Sequence, residues 1–388
     1  MSDFIPLSVP NFAGNELKYV TEAVKTEWVS TGGAFINKFE DDIAEYLKVN
    51  GAVACQSGTA AIHLSLLECG VGIYDEVIVP TLTFIAAVNP VNYCNAHPVF
   101  MDCDDSLTMD MNKLEEFCLN ECDYNNGQLI NKKSKRKIKA VVVVHVFGNM
   151  ADMEKLMDIA EKYNLKVIED ATEALGSYYT HGKYKGKFAG TIGDFGCFSF
   201  NGNKIITTGG GGMVVAKNDN NLQHIKYLST QAKDDTLNYV HNEVGYNYRM
   251  TNIQAALGVA QLENLEEFIK IKKENYYLYE SDITNVKGIN LLKFREGIRP
   301  NFWFYSLILD NHLKRDKFID LMKNVNIQTR PIWGLIHEQK PYINYQNYKI
   351  EKAEYYNHCI VNIPCSTNLN KNQVQDVINK MKEFLNME

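Results

Sequence analysis

Several features are scarce in this chain of 388 residues, and each scarcity excludes a class of protein. Nine cysteines, an odd number, are spread from Cys55 to Cys365 without a Cys-x-x-Cys pair. The closest two, Cys118 and Cys122, have no Cys or His at zinc-site spacing. Reduced, mostly buried thiols in a cytoplasmic protein are therefore expected rather than a disulfide scaffold. Long apolar runs are lacking too. The most apolar one, Ala140 to Val144, is far shorter than the roughly 20 residues that span a bilayer. The opening segment, Met1 to Pro10, has no basic stretch followed by a long apolar one, so no leader is expected. Basic residues number 40 against 47 acidic ones, a net charge of −7 that disfavours nucleic-acid binding through phosphate neutralisation. The nine histidines are scattered without an HExxH, so no catalytic metal is expected. No strand leads into GxGxxG, the Gly182–Phe188 segment lacks Walker spacing, and no GxSxG elbow occurs.

What is present is ordinary in bulk: 45% hydrophobic and 22% charged residues, the balance of a globular protein. The length predicts two domains. Short β-rich runs alternate with helical patterns over the first two thirds. The strand candidates are 52–56, 76–79, 99–102, 139–146, 166–169, 196–200 and 213–217. They are apolar on both faces, and amphipathic stretches such as 59–69 and 152–163 lie between several of them. That alternation predicts an α/β domain with a mainly parallel sheet of about seven strands. The last two runs follow Gly-rich turns without an intervening helix, so antiparallel or distant pairing is open there.

Residues 118–139 break the pattern, ending in the basic run Lys132-Lys-Ser-Lys-Arg-Lys-Ile-Lys139. The run reads as a phosphate or nucleic-acid patch, or as a solvated surface insertion before a buried strand; the acidic whole favours the second. At Thr251 a capping box, Thr251-Asn-Ile-Gln254, starts a long helix with Ile253, Leu257, Ala260, Gln261 and Leu265 at helical spacing. This predicts a large domain over 1–250, then a connecting helix and a smaller C-terminal α+β domain over 251–388.

Four segments carry chemistry. Gln56-Ser57-Gly58-Thr59 follows a strand and opens a helix, whose free amides and dipole form a ready anion site; alone, it reads equally as a cap. Phe84 follows the strand ending at Pro80 and presents a ring to stack on a planar ligand, or simply packs in the core. Asp170 stands at the carboxyl edge of a buried strand, where ligands of open α/β sheets bind; buried, it needs a cationic partner, and it also reads as a helix cap. Lys204 lies between the aromatic strand Cys197–Phe200 and the glycine run Gly209–Gly212, a setting that suits a Schiff-base lysine. Each is weak alone. Together a phosphate cradle, a stacking ring, an acid for a pyridinium nitrogen and an imine-forming lysine are what pyridoxal 5′-phosphate (PLP) requires.

Over nearly its whole length the sequence resembles the DegT/DnrJ/EryC1/StrS family of nucleotide-sugar aminotransferases. The resemblance rests on Trp28–Glu40, Ser57–Ala61, Pro80–Phe84, Glu169–Ala171, Phe198–Phe200 with Lys204, and Gly245–Thr251. It implies a type I, aspartate-aminotransferase-like α/β fold that binds PLP, with pyridoxamine 5′-phosphate (PMP) as the amino-carrying form. Lys204 then looks like the imine-forming lysine, Asp170 the partner of the pyridine nitrogen and Phe84 the stacking ring. Gly58, Thr59 and Ser199 match the phosphate contacts. Asn247 resembles a residue that reaches the neighbouring subunit's cofactor, which implies a homodimer with shared sites. Thr31, Tyr246 and Arg249 fall in segments that resemble substrate-facing loops.

There are departures from the family pattern. Glu173 stands where many members carry Gln or His, so it is either protonated or faces an amine substrate. The run Gly209–Gly212 replaces the commoner Gly-Glu-Gly-Gly. With the 118–139 segment, these resemble the legionaminic acid and bacillosamine subgroup. Its members transfer the amino group of L-glutamate to C4 of a nucleotide-linked 4-keto-6-deoxy-2-acetamido sugar. A PLP-dependent sugar dehydratase would carry His at the position of Lys204. A regulatory protein that binds PLP without turnover is the remaining alternative.

Overall fold

The computed structural model describes residues 4–386 apart from 236, 285 and 287, so the first three residues of the segment read for a leader lie outside the described residues. All seven expected strands form, in one sheet. Its order is Val53–Cys55, Gly212–Ala216, Phe195–Ser199, Lys166–Asp170, Lys137–Val144, Glu76–Pro80, His97–Met101 and Asn347–Tyr348. From Phe195–Ser199 onwards the strands run parallel. Gly212–Ala216 is antiparallel to both of its neighbours, which settles the pairing left open after Ala171. Alternate residues of the central strand feed two cores. Val141 and Val143 face one and Ala140 and Val142 the other, so the strand reads as a continuous apolar run.

Three further strands correct the seven-strand expectation. Cys122–Asn125 and Gln128–Asn131 form a hairpin that pairs with the start of Lys137–Val144, and Asn347–Tyr348 extends the far edge. These strands are two to four residues long and mostly polar, so they lack the alternation that marks a strand. Segment 118–139 is therefore not a plain surface insertion. Leu129 and Asn131 are buried, and Asn131 Nδ2 donates to Glu76 Oε2 at 2.8 Å and Gln346 Oε1 at 2.9 Å. Lys132, Lys133 and Lys135 are exposed at the amino-terminal end of the parallel strands, away from the edge that carries Asp170.

The Thr251 capping box forms as expected, but the helix it heads, Asn252–Leu262, stops and a second, Leu265–Ile283, follows. The break falls at Asn264, whose side chain donates to the Ala260 carbonyl and competes with the helix backbone. Gln261, counted on the apolar face, is buried because it bridges Asn11 O, Glu16 and the Thr207 amide.

A second, antiparallel sheet orders Ile289–Leu291, Tyr305–Leu309, Ile360–Ile363 and Arg330–Pro331. The start of the chain is stitched to its last third. Ile5 exchanges backbone hydrogen bonds with Asn326 and Gln328, and the Cys365 amide donates to Leu7 O at 2.8 Å. In the other direction, buried Asp102 accepts from Lys113 Nζ at 2.7 Å and from the amides of Glu351, Lys352 and Ala353. It thereby caps the helix Lys352–Cys359. All nine cysteines are free, eight of them buried and Cys69 partly so. No helix among the described residues is long and apolar enough to cross a membrane.

Candidate active site

The carboxyl ends of the parallel strands converge on one cavity of about 300 Å³. Strand Val53–Cys55 runs through Gln56 into the helix Gly58–Glu68, whose cap Ser57 accepts from the Ala60 amide at 3.1 Å. The cap leaves the first-turn amides of Gly58 and Thr59 without helical partners. A Cβ on Gly58 would lie 2.9 Å from both Ser199 Cβ and Thr172 Cγ2, so no larger residue lets the helix start this close to the sheet. Phe84 forms one wall and is 54% exposed, unusual for a ring that merely packs.

Asp170 ends its strand at the cavity floor, 4% exposed. The Thr172 amide donates to its Oδ1 at 3.1 Å, and no ion pair reaches it among the described residues. Burial pushes its carboxyl above the usual range, against the hydrogen bonds from Thr172. Lys204 and His145 act on it only at a distance, no cationic group of the described residues is in ion-pair contact with it, and a bound cationic ring nitrogen fits that place. The strand end is braced by Glu169, which accepts the amides of Gly190, Ile192 and Gly193. His145 Nε2 also donates to Glu169, at 2.8 Å, because its Nδ1 is taken by the Ala151 amide.

Lys204 also lines the cavity, its Nζ 3.7 Å from Glu173 Oε1. The second oxygen of Glu173 accepts from the Phe147 amide at 2.9 Å. Phe147 holds a positive φ of 57°, a costly backbone for a bulky side chain, and in that conformation its N–H meets the carboxylate. Burial lifts the Glu173 carboxyl from 4.5 to about 7, although Lys204 and the Phe147 amide pull it down. Burial thus favours the protonated form of this residue, and the amine it faces is that of Lys204.

Gly58, Thr59, Phe84, Asp170, Glu173, Ser199 and Lys204 therefore line one cavity. Asn247, Thr31, Tyr246 and Arg249 do not. Asn247 is exposed and bridges Thr230, and Tyr246 stacks on Tyr248 at 5.0 Å. Arg249 pairs with Cys55 at the sheet margin, and Thr31 is half-buried ahead of the helix Ala34–Leu47. The sequence reading missed Trp303, Phe304 and Trp333, which close the cavity from the C-terminal part of the chain. A signal existed: the chain has three tryptophans, and two stand here.

Of common cofactors, PLP asks for an anion cradle, a stacking face, a buried acid and an amine at once. The fold and this edge of the sheet define a PLP-dependent transferase of the aspartate-aminotransferase type. The comparisons narrow this. Residues 10–382 match the DegT/DnrJ/EryC1/StrS aminotransferase family, and the chain belongs to it. It is accordingly a PLP-dependent sugar aminotransferase. It is 38% identical to the GDP-perosamine synthase of Caulobacter vibrioides, over 99% of this chain and 100% of that protein. Identity is 28% to the UDP-4-amino-4,6-dideoxy-N-acetyl-beta-L-altrosamine transaminase of Campylobacter jejuni, over 94% and 93%. The solved aminotransferase TlmJ of Streptoalloteichus hindustanus shares the fold, with a TM-score of 0.89, 24% identity and coverage of 99% and 100%.

Proposed function

We propose that this enzyme transfers the amino group of L-glutamate to C4 of a nucleotide-linked 4-keto-6-deoxy sugar. The observation that carries the reading is the convergence of Lys204, Asp170, Glu173 and Phe84 with the first turn of the helix Gly58–Glu68 on one cavity. Bound PLP supplies a carbonyl that takes up the amino group and a ring that withdraws electrons from the adjacent carbon. Gly58, Thr59 and Ser199 hold its phosphate with amides and a hydroxyl, Phe84 orients its ring, and ionised Asp170 keeps the ring nitrogen protonated. Lys204 Nζ, as the free amine, takes a proton from the donor's Cα and returns it at the neighbouring carbon. In the sugar half-reaction the same amine moves the proton in the reverse sense.

The substrate assignment is supported by the relatives. The 38% identical protein is named for a GDP sugar and the 28% identical one for a UDP-linked 4-amino-4,6-dideoxy N-acetyl sugar. A GDP-linked sugar is the first reading. The UDP-linked 2-acetamido sugar of the legionaminic acid and bacillosamine subgroup is the second. We further propose a homodimer in which exposed Asn247 completes the partner's phosphate site and Thr31, Tyr246 and Arg249 line the sugar path. The division into a large domain over 1–250 and a connecting helix with a smaller domain over 251–388 is proposed with it.

Incubating the enzyme with glutamate and a panel of GDP- and UDP-linked 4-keto-6-deoxy sugars tests the proposal. A mass shift for replacement of the ketone by an amine is expected, first on the GDP sugar. Amination at C3, or of none of the panel, overturns it.

A further inference from the structure

The amine of Lys204 has two neighbours of opposite character. Glu173 Oε1 lies 3.7 Å away, and Nζ sits 4.3 Å from the centre of the Trp303 ring. The ring is clamped from several directions. Its indole N–H donates to the carbonyl of Asn203, the residue before Lys204, at 2.8 Å. Phe304 stacks on it at 4.0 Å and 7°. The Trp303 amide donates to buried Asn301 Oδ1 at 3.0 Å, and its carbonyl accepts from buried Lys272 Nζ at 3.0 Å.

A residue that merely filled the cavity wall would need neither the bond to Asn203 nor a face turned to the amine. The face of an indole is its negative side and attracts an ammonium, most strongly where water is excluded. Lys204's side chain is 12% exposed.

We propose that Trp303 is the positioning residue for Lys204: its face holds the disengaged amine in the interval when that amine carries a proton, and its indole N–H fixes the loop that carries the lysine. This rests on the reading of Lys204 as the imine-forming lysine. The ring keeps the amine pointed into the cavity between proton transfers, and Glu173 stands opposite as the acidic neighbour. Asp170 is the other charged group that Lys204 influences across the cavity.

The test uses the cofactor-free protein, so that its readout is not turnover. Lys204 is labelled with acetic anhydride across pH 7 to 11, against an added reference amine, and followed by peptide mass mapping. Trp303→Leu removes the face and is expected to shift the labelling profile to lower pH by about half a unit to one unit. Trp303→Phe keeps a face without the N–H and is expected to shift it by less than half as much. Greater access alone would raise the plateau and leave the midpoint in place, and that outcome overturns the proposal. Fluorinated tryptophan placed at 303 preserves shape and N–H while weakening the face. It serves if the leucine variant does not fold, and an unchanged midpoint there overturns the proposal equally. Borohydride reduction of the PLP-loaded wild type separates the two readings. Trapping of a lysine other than Lys204 refutes the imine assignment, whatever the labelling shows.

Discussion

Glu173→Gln gives the sharpest physical test of the cavity. The folded protein holds the Glu173 proton more tightly than the unfolded chain, because burial lifts its carboxyl from 4.5 to about 7. A group shifted in this sense contributes stability that is fully present below about pH 4.5, and that contribution is lost as pH rises through 7. At 1.36 kcal/mol per pH unit the shift corresponds to about 3 kcal/mol. The carboxylate side chain is 3% exposed, so little of this is screened by solvent. Glutamine does not titrate, and its Oε1 can still accept from the Phe147 amide. The difference in unfolding free energy between variant and wild type is therefore expected to move by about 3 kcal/mol in the variant's favour between pH 4.5 and 8. Equilibrium urea unfolding of the cofactor-free protein at fixed concentration measures it. A difference constant to within about 0.5 kcal/mol across that range would refute the claim that burial holds the proton on Glu173.

Three further outcomes are expected. Lys204→Ala should lose the visible absorbance of covalently held PLP and lower turnover by about a thousandfold or more; an intact band with intact turnover removes Lys204 from its role. Gly58→Ala places a Cβ 2.9 Å from Ser199 and Thr172, and PLP affinity, read by fluorescence titration, should fall about tenfold or more. Unchanged affinity would show that the phosphate binds elsewhere. Asn301→Ala frees buried partners: Asn301 Nδ2 donates to Glu173 O and Leu175 O, and its Oδ1 accepts from Trp303. The expected loss is about 3 kcal/mol by urea unfolding, and a loss under about 1 kcal/mol contradicts the hydrogen-bond assignment.

Much of this was legible because burial on two faces leaves a strong mark. Strands such as Lys137–Val144 read directly, and their carboxyl ends carried Asp170, Ser199 and the turn into Gly58. The hairpin 122–131 did not read, because four-residue strands held by Asn131 and by register show no apolar alternation. Trp303 and Trp333 reach the cavity from far downstream of its other residues, and no local pattern announces such a contact. The state of Glu173 was equally hidden. It is set by burial and opposed by Lys204 and by the Phe147 amide, and no sequence rule assigns the positive φ of that residue to a phenylalanine.

The stitching of the chain ends has a consequence for synthesis. The segment around Ile5–Leu7 finds its hydrogen-bonding partners at Asn326, Gln328 and Cys365, up to 358 positions away. On the ribosome that segment must wait until nearly the whole chain has emerged. The strand edge at His97–Met101 waits likewise for Asn347–Tyr348. Loops of this length close slowly, so the nascent protein is exposed longest at two seams rather than at its centre. A fragment ending at residue 250 would leave both seams open, and its sheet edge unpaired, however complete its own sheet became.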